Sequence, residues 1–376
     1  MGAGTARGGA CLLISGKVRK NMEFVVFAGV LLLLFIFMIV QELIQTKNQE
    51  KLFKKYLREN YGKEPPKEYS LERFARLGSY LERHKEEKQL DDITWNDLGM
   101  DEVFRRIDRT YSAAGEEYLY YTLRNISCGR EALEHLEEVV NWLQEQENIK
   151  VRIQLLMKRL GHLGKYSLYD YLDNLDYLGE RSNRKIVLGN LLYLPFLLLL
   201  FVQPAMGTIG IVLCMLWHIM TYFREKKVIE PYIISFAYVL RLIDVCEELE
   251  KQKIPVYRRE LDELREALKS LRELRRGAYW VMAGNQGKIG GNPLDILADY
   301  LRMILHLDIF QFNRMLEKLR KKTGQVETML AITGYLDMAI SVGGFRKSLE
   351  GYCIPKLEED TEKAFLHMKK GWHPLL

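Results

Sequence analysis

The stretch IVLGNLLYLPFLLLLFVQPAMGTIGIVLCMLWHIMTYF, residues 186–223, decides the fold of this chain. It contains no Asp, Glu, Lys or Arg. One helical span of a bilayer needs about 20 apolar residues, so this stretch is long enough for two. Pro204 lies near its middle and lacks the backbone donor that a continuous helix needs. We therefore predict a membrane hairpin, with helices over Ile186–Val202 and Ala205–Phe223, in preference to a buried helix pair of a soluble protein.

A second apolar segment lies near the beginning of the chain, where residues 24–40 read FVVFAGVLLLLFIFMIV. No small-x-small cleavage pattern follows it, so an uncleaved anchor over residues 24–44 is favoured over a signal peptide. The chain is thus expected to have three transmembrane helices and the lipid bilayer as a partner. Residues 1–23 form a tail, and a true start at Met22 in place of Met1 stays open.

Basic residues stand on both sides of the hairpin, and its bend carries no charge. By the positive-inside tendency, both ends of the hairpin and the helical segments beyond them are expected on the cytoplasmic side. These flanking residues are Arg181, Arg184, Lys185, Arg224, Lys226 and Lys227.

Composition argues against several kinds of site. The 55 Lys and Arg residues against 50 Asp and Glu give a net charge of +5, which is too weak to indicate nucleic acid. The five cysteines have no pairing or metal-ligand spacing, as is typical of a reducing compartment. The seven histidines lie far apart in the sequence, and no Ser/His/Asp or Cys/His arrangement can be nominated. We therefore predict no metal, cofactor-binding or catalytic residues, and solvated faces for the charged ladders.

Outside the apolar segments the chain has helical periodicity throughout, which predicts an all-α protein. Juxtamembrane helices are expected over residues 45–90, a helical bundle over 91–185, and further helices over 224–370, including Leu294–Lys322 and Val326–Ile340. A leucine heptad seam indicates lengthwise packing on another helix, and a pair within the chain is favoured over a coiled coil between chains. The seam consists of Tyr257, Leu261, Leu264, Leu268 and Leu271.

Two distant stretches and the last six residues carry a family resemblance. DDITWNDLGMDEVFRRIDRTYSAAGEEYLYYTLRNI, residues 91–126, resembles the start of the helical core of MutS-type DNA mismatch repair proteins. ITGYLDMAISVGGFRKSLEGYCIPKL, residues 332–357, is similar to the lever helix that returns to that core. The final Gly-Trp-His-Pro-Leu-Leu, residues 371–376, resembles the junction to the family's ATPase domain. The matching positions are Ser112, Gly115, Leu119, Leu336, Asp337, Ser341, His373 and Pro374.

The resemblance implies a core and lever without the motor. In the family, the Walker A motif and the Mg²⁺-binding carboxylates follow the His-Pro junction, where this sequence stops. ATP and Mg²⁺ are therefore expected only if an ATPase domain follows, and this chain alone is expected not to be an enzyme. Residues 45–90 are too few for the mismatch-reading module, so mismatch recognition is not expected.

The resemblance is to the membrane-inserted MutS-related proteins of bacteria and not to the mismatch-repair enzyme itself. The resemblance thus implies a multi-pass protein of the bacterial cell membrane, a homodimer like its relatives, with DNA left open as a partner. A non-enzymatic membrane scaffold that binds other proteins through its heptad helix is the alternative.

Overall fold

The computed structural model describes residues 36–63, 69–85, 88–126, 129–164, 166–275, 293–356, 366–371 and 375, without the side chains of 293–298. The chain divides into two units, residues 1–59 and 60–376. In the first, a helix over residues 36–60 (α1) begins with exposed apolar side chains over residues 36–44. This stretch belongs to the predicted anchor, whose residues 24–35 lie outside the described part, as do tail residues 1–23.

The second unit is helical, as predicted from the periodicity, and the described residues contain only one isolated β-bridge, Gln89 with Asn125. Its helices are α2 (Leu71–Arg83), α3 (Asp92–Asp97), α4 (Met100–Ile107), α5 (Ala113–Arg124), α6 (Arg130–Glu145), α7 (Glu147–Leu160), α8 (Leu168–Asp173), α9 (Arg184–Leu191), α10 (Tyr193–Val202), α11 (Pro204–Glu250), α12 (Arg258–Leu271), α13 (Pro293–Leu305), α14 (Leu307–Leu319) and α15 (Thr323–Ser348).

The hairpin has the predicted bend between α10 and α11. Helix α10 ends at Val202, Gln203 has a non-helical backbone, and α11 begins at Pro204, whose missing N–H needs no partner in a first helical turn. The stretch from Arg184 to Val202 and helix α11 are long and apolar enough to cross a membrane. Only 6% of the most apolar window of the first stretch is buried, which leaves its side chains free to face lipid.

Small residues let α10 and α11 approach closely. A Cβ added at Gly207 would stand 2.6 Å from the backbone nitrogen of Leu200, and one at Gly210 would enter the ring of Phe196. Such contacts between small residues are a common way for membrane helices to associate.

Gly207→Leu is therefore expected to separate the two helices of the hairpin. A cysteine pair across the hairpin in the full chain, reconstituted in liposomes, would cross-link at a rate at least about tenfold lower, in line with a loss of more than 1.4 kcal/mol of packing. Thr208→Leu is the control, because Thr208 lies on the exposed side of α11. Equal cross-linking of both variants would refute this account of the packing.

The core lies where the second part of α11 meets α7, α12 and α15. The seam leucines of α12 are all buried there, so the helix pair within the chain is confirmed. Helix α15 is a third helix that is long and apolar enough to cross a membrane, but 72% of its most apolar window is buried within the protein. Its apolar residues thus serve the core.

One predicted helix is wrong. Residues 294–322 were expected to form a single helix, but α13 and α14 are separated at His306, whose φ of 53° lies in the left-handed region. An L-residue in that conformation cannot continue a right-handed helix. Helix α14 begins directly after His306, because the backbone N–H of Phe310 donates the first helical hydrogen bond to the carbonyl of His306, at 2.8 Å.

Candidate functional site

The start of α5 is joined to the middle of α15 by one buried carboxylate. Ser112 is the N-cap of α5, and its hydroxyl accepts the amide of Gly115 at 3.1 Å. The same hydroxyl donates to Oδ2 of Asp337 at 2.6 Å, and the backbone amide of Ser112 donates to that oxygen at 2.8 Å. The amide of Tyr111 adds a bond of 3.0 Å. Asp337 thus takes up donors at a helix N-terminus, where negative charge is favoured.

Missing side chains make room for this contact, which we call the α5–α15 joint. Gly115 faces the carboxylate of Asp337 so closely that any Cβ would overlap it. On the other helix, a Cβ at Gly334 would stand 2.6 Å from the carbonyl oxygen of Ala114. Both glycines are therefore needed for the two helices to approach.

Ser341, one turn after Asp337, makes a second bond across the joint. Its hydroxyl accepts the amide of Arg109 at 2.7 Å and donates to the carbonyl of Ile107 at 2.8 Å. The segment between α4 and α5 is thereby held at both ends by α15.

A second charged cluster lies beside the joint, between α2 and α5. The carboxylate of Glu116 is fully buried and accepts from Arg73 Nε at 2.6 Å and from Arg76 Nη2 at 2.5 Å. Sequence periodicity predicted solvated faces for such charges, and for this cluster the prediction is wrong. The reason is tertiary, because α2 covers the acidic face of α5 and supplies both guanidinium groups.

Glu117 is the neighbouring buried carboxyl and has much weaker support. Ser167 Oγ donates to its Oε2 at 3.0 Å, and its Oε1 has no partner in the described part of the chain. Burial raises the pKa of Glu117 to about 8, against the smaller effects of Ser167 and Arg76. At neutral pH this carboxyl therefore holds a proton.

The structure brings together most of the residues that carry the family resemblance. Ser112, Gly115, Asp337 and Ser341 meet in the joint. Leu119 and Leu336 are buried close by, in the two apolar clusters that line α5 and α15. His373 and Pro374 lie outside the described residues, so their expected role as a junction has no structural counterpart here.

Sequence reasoning missed a pair of histidines. His218 of α11 and His306, which were expected to lie far apart, are both buried and their Nδ1 atoms are 3.3 Å apart. Their separation of 88 positions gave no spacing to detect. A helix break at His306 would have been the only local signal, and neither glycine nor proline marks it.

Polar groups surround this pair. The hydroxyl of Thr221 donates to the carbonyl of Trp217, at 3.0 Å, and lies 3.3 Å from Nε2 of His306. Burial, together with the nearby His218, lowers the pKa of His306 to about 4, so this ring is neutral. Nε2 of His218 is buried and has no partner among the described residues.

The joint has the chemistry of a structural clamp. Its carboxylate and hydroxyls are occupied by helix-terminal donors and acceptors, an arrangement that fixes two helices and activates no nucleophile. Within the described ranges no group of three or more His, Cys, Asp or Glu residues could hold a metal ion. Comparison of the chain with protein-family models, with curated proteins and with solved structures finds no match.

Proposed function

We propose that this chain is the membrane-anchored core and lever of a MutS-like protein of the bacterial cell membrane, and that it carries movement between its helical body and the bilayer without catalysis of its own. Helix α11 carries the proposal. It runs for 47 residues from the hairpin into the core, a length of about 70 Å at 1.5 Å per residue.

The two ends of α11 have opposite surroundings. Its first part exposes large apolar side chains such as Ile209 and Met220, whereas Val239, Leu242 and Ile243 in its second part are fully buried. One rigid helix with an end in each environment transmits a tilt from the core to the hairpin. Pro231 lies inside the helix and removes one backbone bond without ending it.

The α5–α15 joint supports the MutS-like part of the proposal. The two stretches that resemble the family are more than 200 residues apart in the sequence, and their characteristic residues bond directly to each other, Ser112 to Asp337. A core helix clamped to a returning lever is the arrangement that the resemblance implies.

Partners follow from the same proposal. Movement would come from an ATPase domain that binds ATP and Mg²⁺, joined to this chain or supplied in trans, and the working unit would be a homodimer. The basic residues on both sides of the hairpin favour a cytoplasmic body. DNA is proposed as a partner of the helical domains on one condition. Their affinity for DNA must fall steeply as the salt concentration rises.

Hydrogen exchange tests the lever. The full chain, joined to or mixed with a MutS-type ATPase domain in lipid nanodiscs, should show altered amide exchange over residues 228–275 and over 204–223 when ATP replaces ADP. Lys227→Gly with Val228→Gly should abolish the change in amide exchange over residues 204–223 and leave the change over 228–275. The reason is that two glycines weaken the helix between these regions by about 2 kcal/mol. Lys227→Ala with Val228→Ala is the matched control and should behave like the parent. No nucleotide-dependent exchange over 228–275 would refute transmission.

The scaffold alternative receives less support. The heptad leucines of α12 are used inside the chain, where Leu264 and Leu271 are fully buried, so the predicted seam is not free for another protein. A scaffold would have to use the charged outer face of α12.

A further inference from the structure

A cavity of about 650 Å³ lies where the hairpin enters the helical body. It opens among the segment before α9, α9 itself, the middle of α11 and the start of α14, and we call it the basal cavity. Its wall is apolar on the hairpin side, with Ile186, Leu188, Leu192 and Trp217. Its floor is polar, since His218, His306 and Asn313 are all more than nine-tenths buried and line it.

Two cations at the rim of the basal cavity have no partner among the residues that the structure describes. Lys185 and Arg224 are exposed, both line the cavity, and neither has a hydrogen bond or an ion pair within the described part of the chain. Arg181, the third basic group, is already paired with Glu225 at 2.5 Å. The other acidic lining residue is Glu180. The two cations Lys185 and Arg224 exceed this one negative charge, so the rim has a net positive charge.

The basal cavity continues into an apolar groove on the hairpin. This groove has a volume of about 370 Å³ and lies between α10 and α11, with Phe196, Leu199 and Leu213 among its lining residues. Leu192 and Trp217 line both spaces, so the groove begins where the cavity ends. Trp217 is half exposed at this boundary, a position typical of tryptophan at the level of lipid headgroups.

We propose that the basal cavity and the groove together bind one anionic phospholipid of the cytoplasmic leaflet. Lys185 and Arg224 hold the phosphate, the histidine floor offers polar contact to the rest of the headgroup, and the groove takes an acyl chain. His218 contributes to the polar floor, and its Nε2 is buried and has no partner among the described residues. The site ties the base of the hairpin to the lipid surface, and it does not depend on the lever proposal.

Two double variants with the same change in net charge distinguish a specific lipid site from general attraction to anionic lipid. Lys185→Gln with Arg224→Gln removes the rim cations. Arg184→Gln with Lys227→Gln removes two exposed cations that do not line the cavity, one next to Lys185 in sequence and the other three positions after Arg224. Both double variants change the net charge by the same amount, so any difference between them reports the cavity.

Native mass spectrometry of the full chain measures the lipid that it retains from an equimolar mixture of phosphatidylglycerol and phosphatidylcholine with identical acyl chains. One phosphatidylglycerol is expected per chain. Loss of the rim cations should lower the preference about 100-fold, taking about tenfold for each charge-assisted hydrogen bond to the phosphate, whereas loss of the control pair should lower it at least tenfold less. A dihexanoyl phosphatidylglycerol, too short to fill the groove, should be retained more weakly.

Three results would overturn the inference. Equal losses in the two double variants would mean surface attraction only. Equal retention of phosphatidylcholine would mean that no phosphate-selective site exists. Displacement of the lipid by millimolar glycerol 3-phosphate would identify the occupant as a soluble phosphate compound. Circular dichroism of each variant shows that its helices are intact before the lipids are compared.

Discussion

Asp337→Asn should destabilise the protein by at least about 3 kcal/mol, because each buried donor left without its acceptor costs about 1–3 kcal/mol. Oδ2 of Asp337 takes up the hydroxyl and amide of Ser112 and the amide of Tyr111. An asparagine amide would turn N–H groups towards those donors or leave one oxygen to serve them without charge. The melting temperature of the full chain in detergent, followed by circular dichroism, should fall by roughly 5–10 °C.

The control for this substitution is Asp176→Asn. Its carboxylate is 94% exposed and makes only a 3.5 Å ion pair with Arg320, so removal of its charge should change stability by less than about 1 kcal/mol. If Asp337→Asn melted as the control does, the carboxylate would not be what fixes α5 to α15. Ser112→Ala should have an intermediate effect of about 1 kcal/mol, the usual loss for a helix cap.

Two adjacent substitutions in α5 should have opposite signs. Glu116→Gln leaves the buried guanidinium group of Arg76 without a charged partner among the described residues, and it leaves Arg73 with its longer ion pair to Asp108, at 3.7 Å. Breaking such a buried pair costs about 3–5 kcal/mol. Glu117→Gln should stabilise the protein, because the native carboxyl is already held in its neutral form. The effect of Glu117→Gln depends on pH, and the effect of Glu116→Gln is compared with it.

The sign for Glu117 follows from proton binding. The unfolded chain releases this proton near pH 4.5, whereas the folded protein keeps it up to about pH 8. Between these values the unfolded state binds fewer protons, so stability falls as pH rises. Glutamine removes this loss, and its gain should grow from near zero at pH 4.5 to as much as about 3 kcal/mol at pH 7, at 1.36 kcal/mol per pH unit.

Melting curves of both variants at pH 5, 7 and 8 measure this pair of effects. The stability gap between Glu117→Gln and the parent should widen towards pH 8, and Glu116→Gln should melt lower than the parent at all three values. A gap for Glu117→Gln that is constant over this range would show that Glu117 is ionised in the folded protein.

The parts of the fold that sequence predicts are those with local signals. A charge-free block interrupted by Gln203-Pro204 is enough to place the hairpin, and a 3.5-residue leucine period is enough to place α12. The break at His306 has no such signal, because neither glycine nor proline marks it and its partner His218 is 88 positions away. The prediction of a single helix over residues 294–322 is therefore wrong at this point.

The candidate site was predicted as a set of residues but not as an arrangement. The family resemblance singled out Ser112 and Asp337, yet only tertiary structure shows that they bond. The Arg–Glu cluster at Glu116 is the opposite case, because its residues look like ordinary surface charges in the sequence. Helix α2 packs on α5 and buries these charges. The periodicity of a helix shows which of its faces is apolar, but it does not show which other helix will pack on it.

The order of elements in α11–α15 has a consequence for how the protein is made. Helices α1 to α8 leave the ribosome first, the hairpin next, and Asp337 only after another stretch that takes on the order of 10 seconds to synthesise. During that interval Ser112 and the start of α5 have no acceptor from α15. The contact between α5 and α15 can therefore form only after the hairpin has been synthesised, and α15 supplies that closing step.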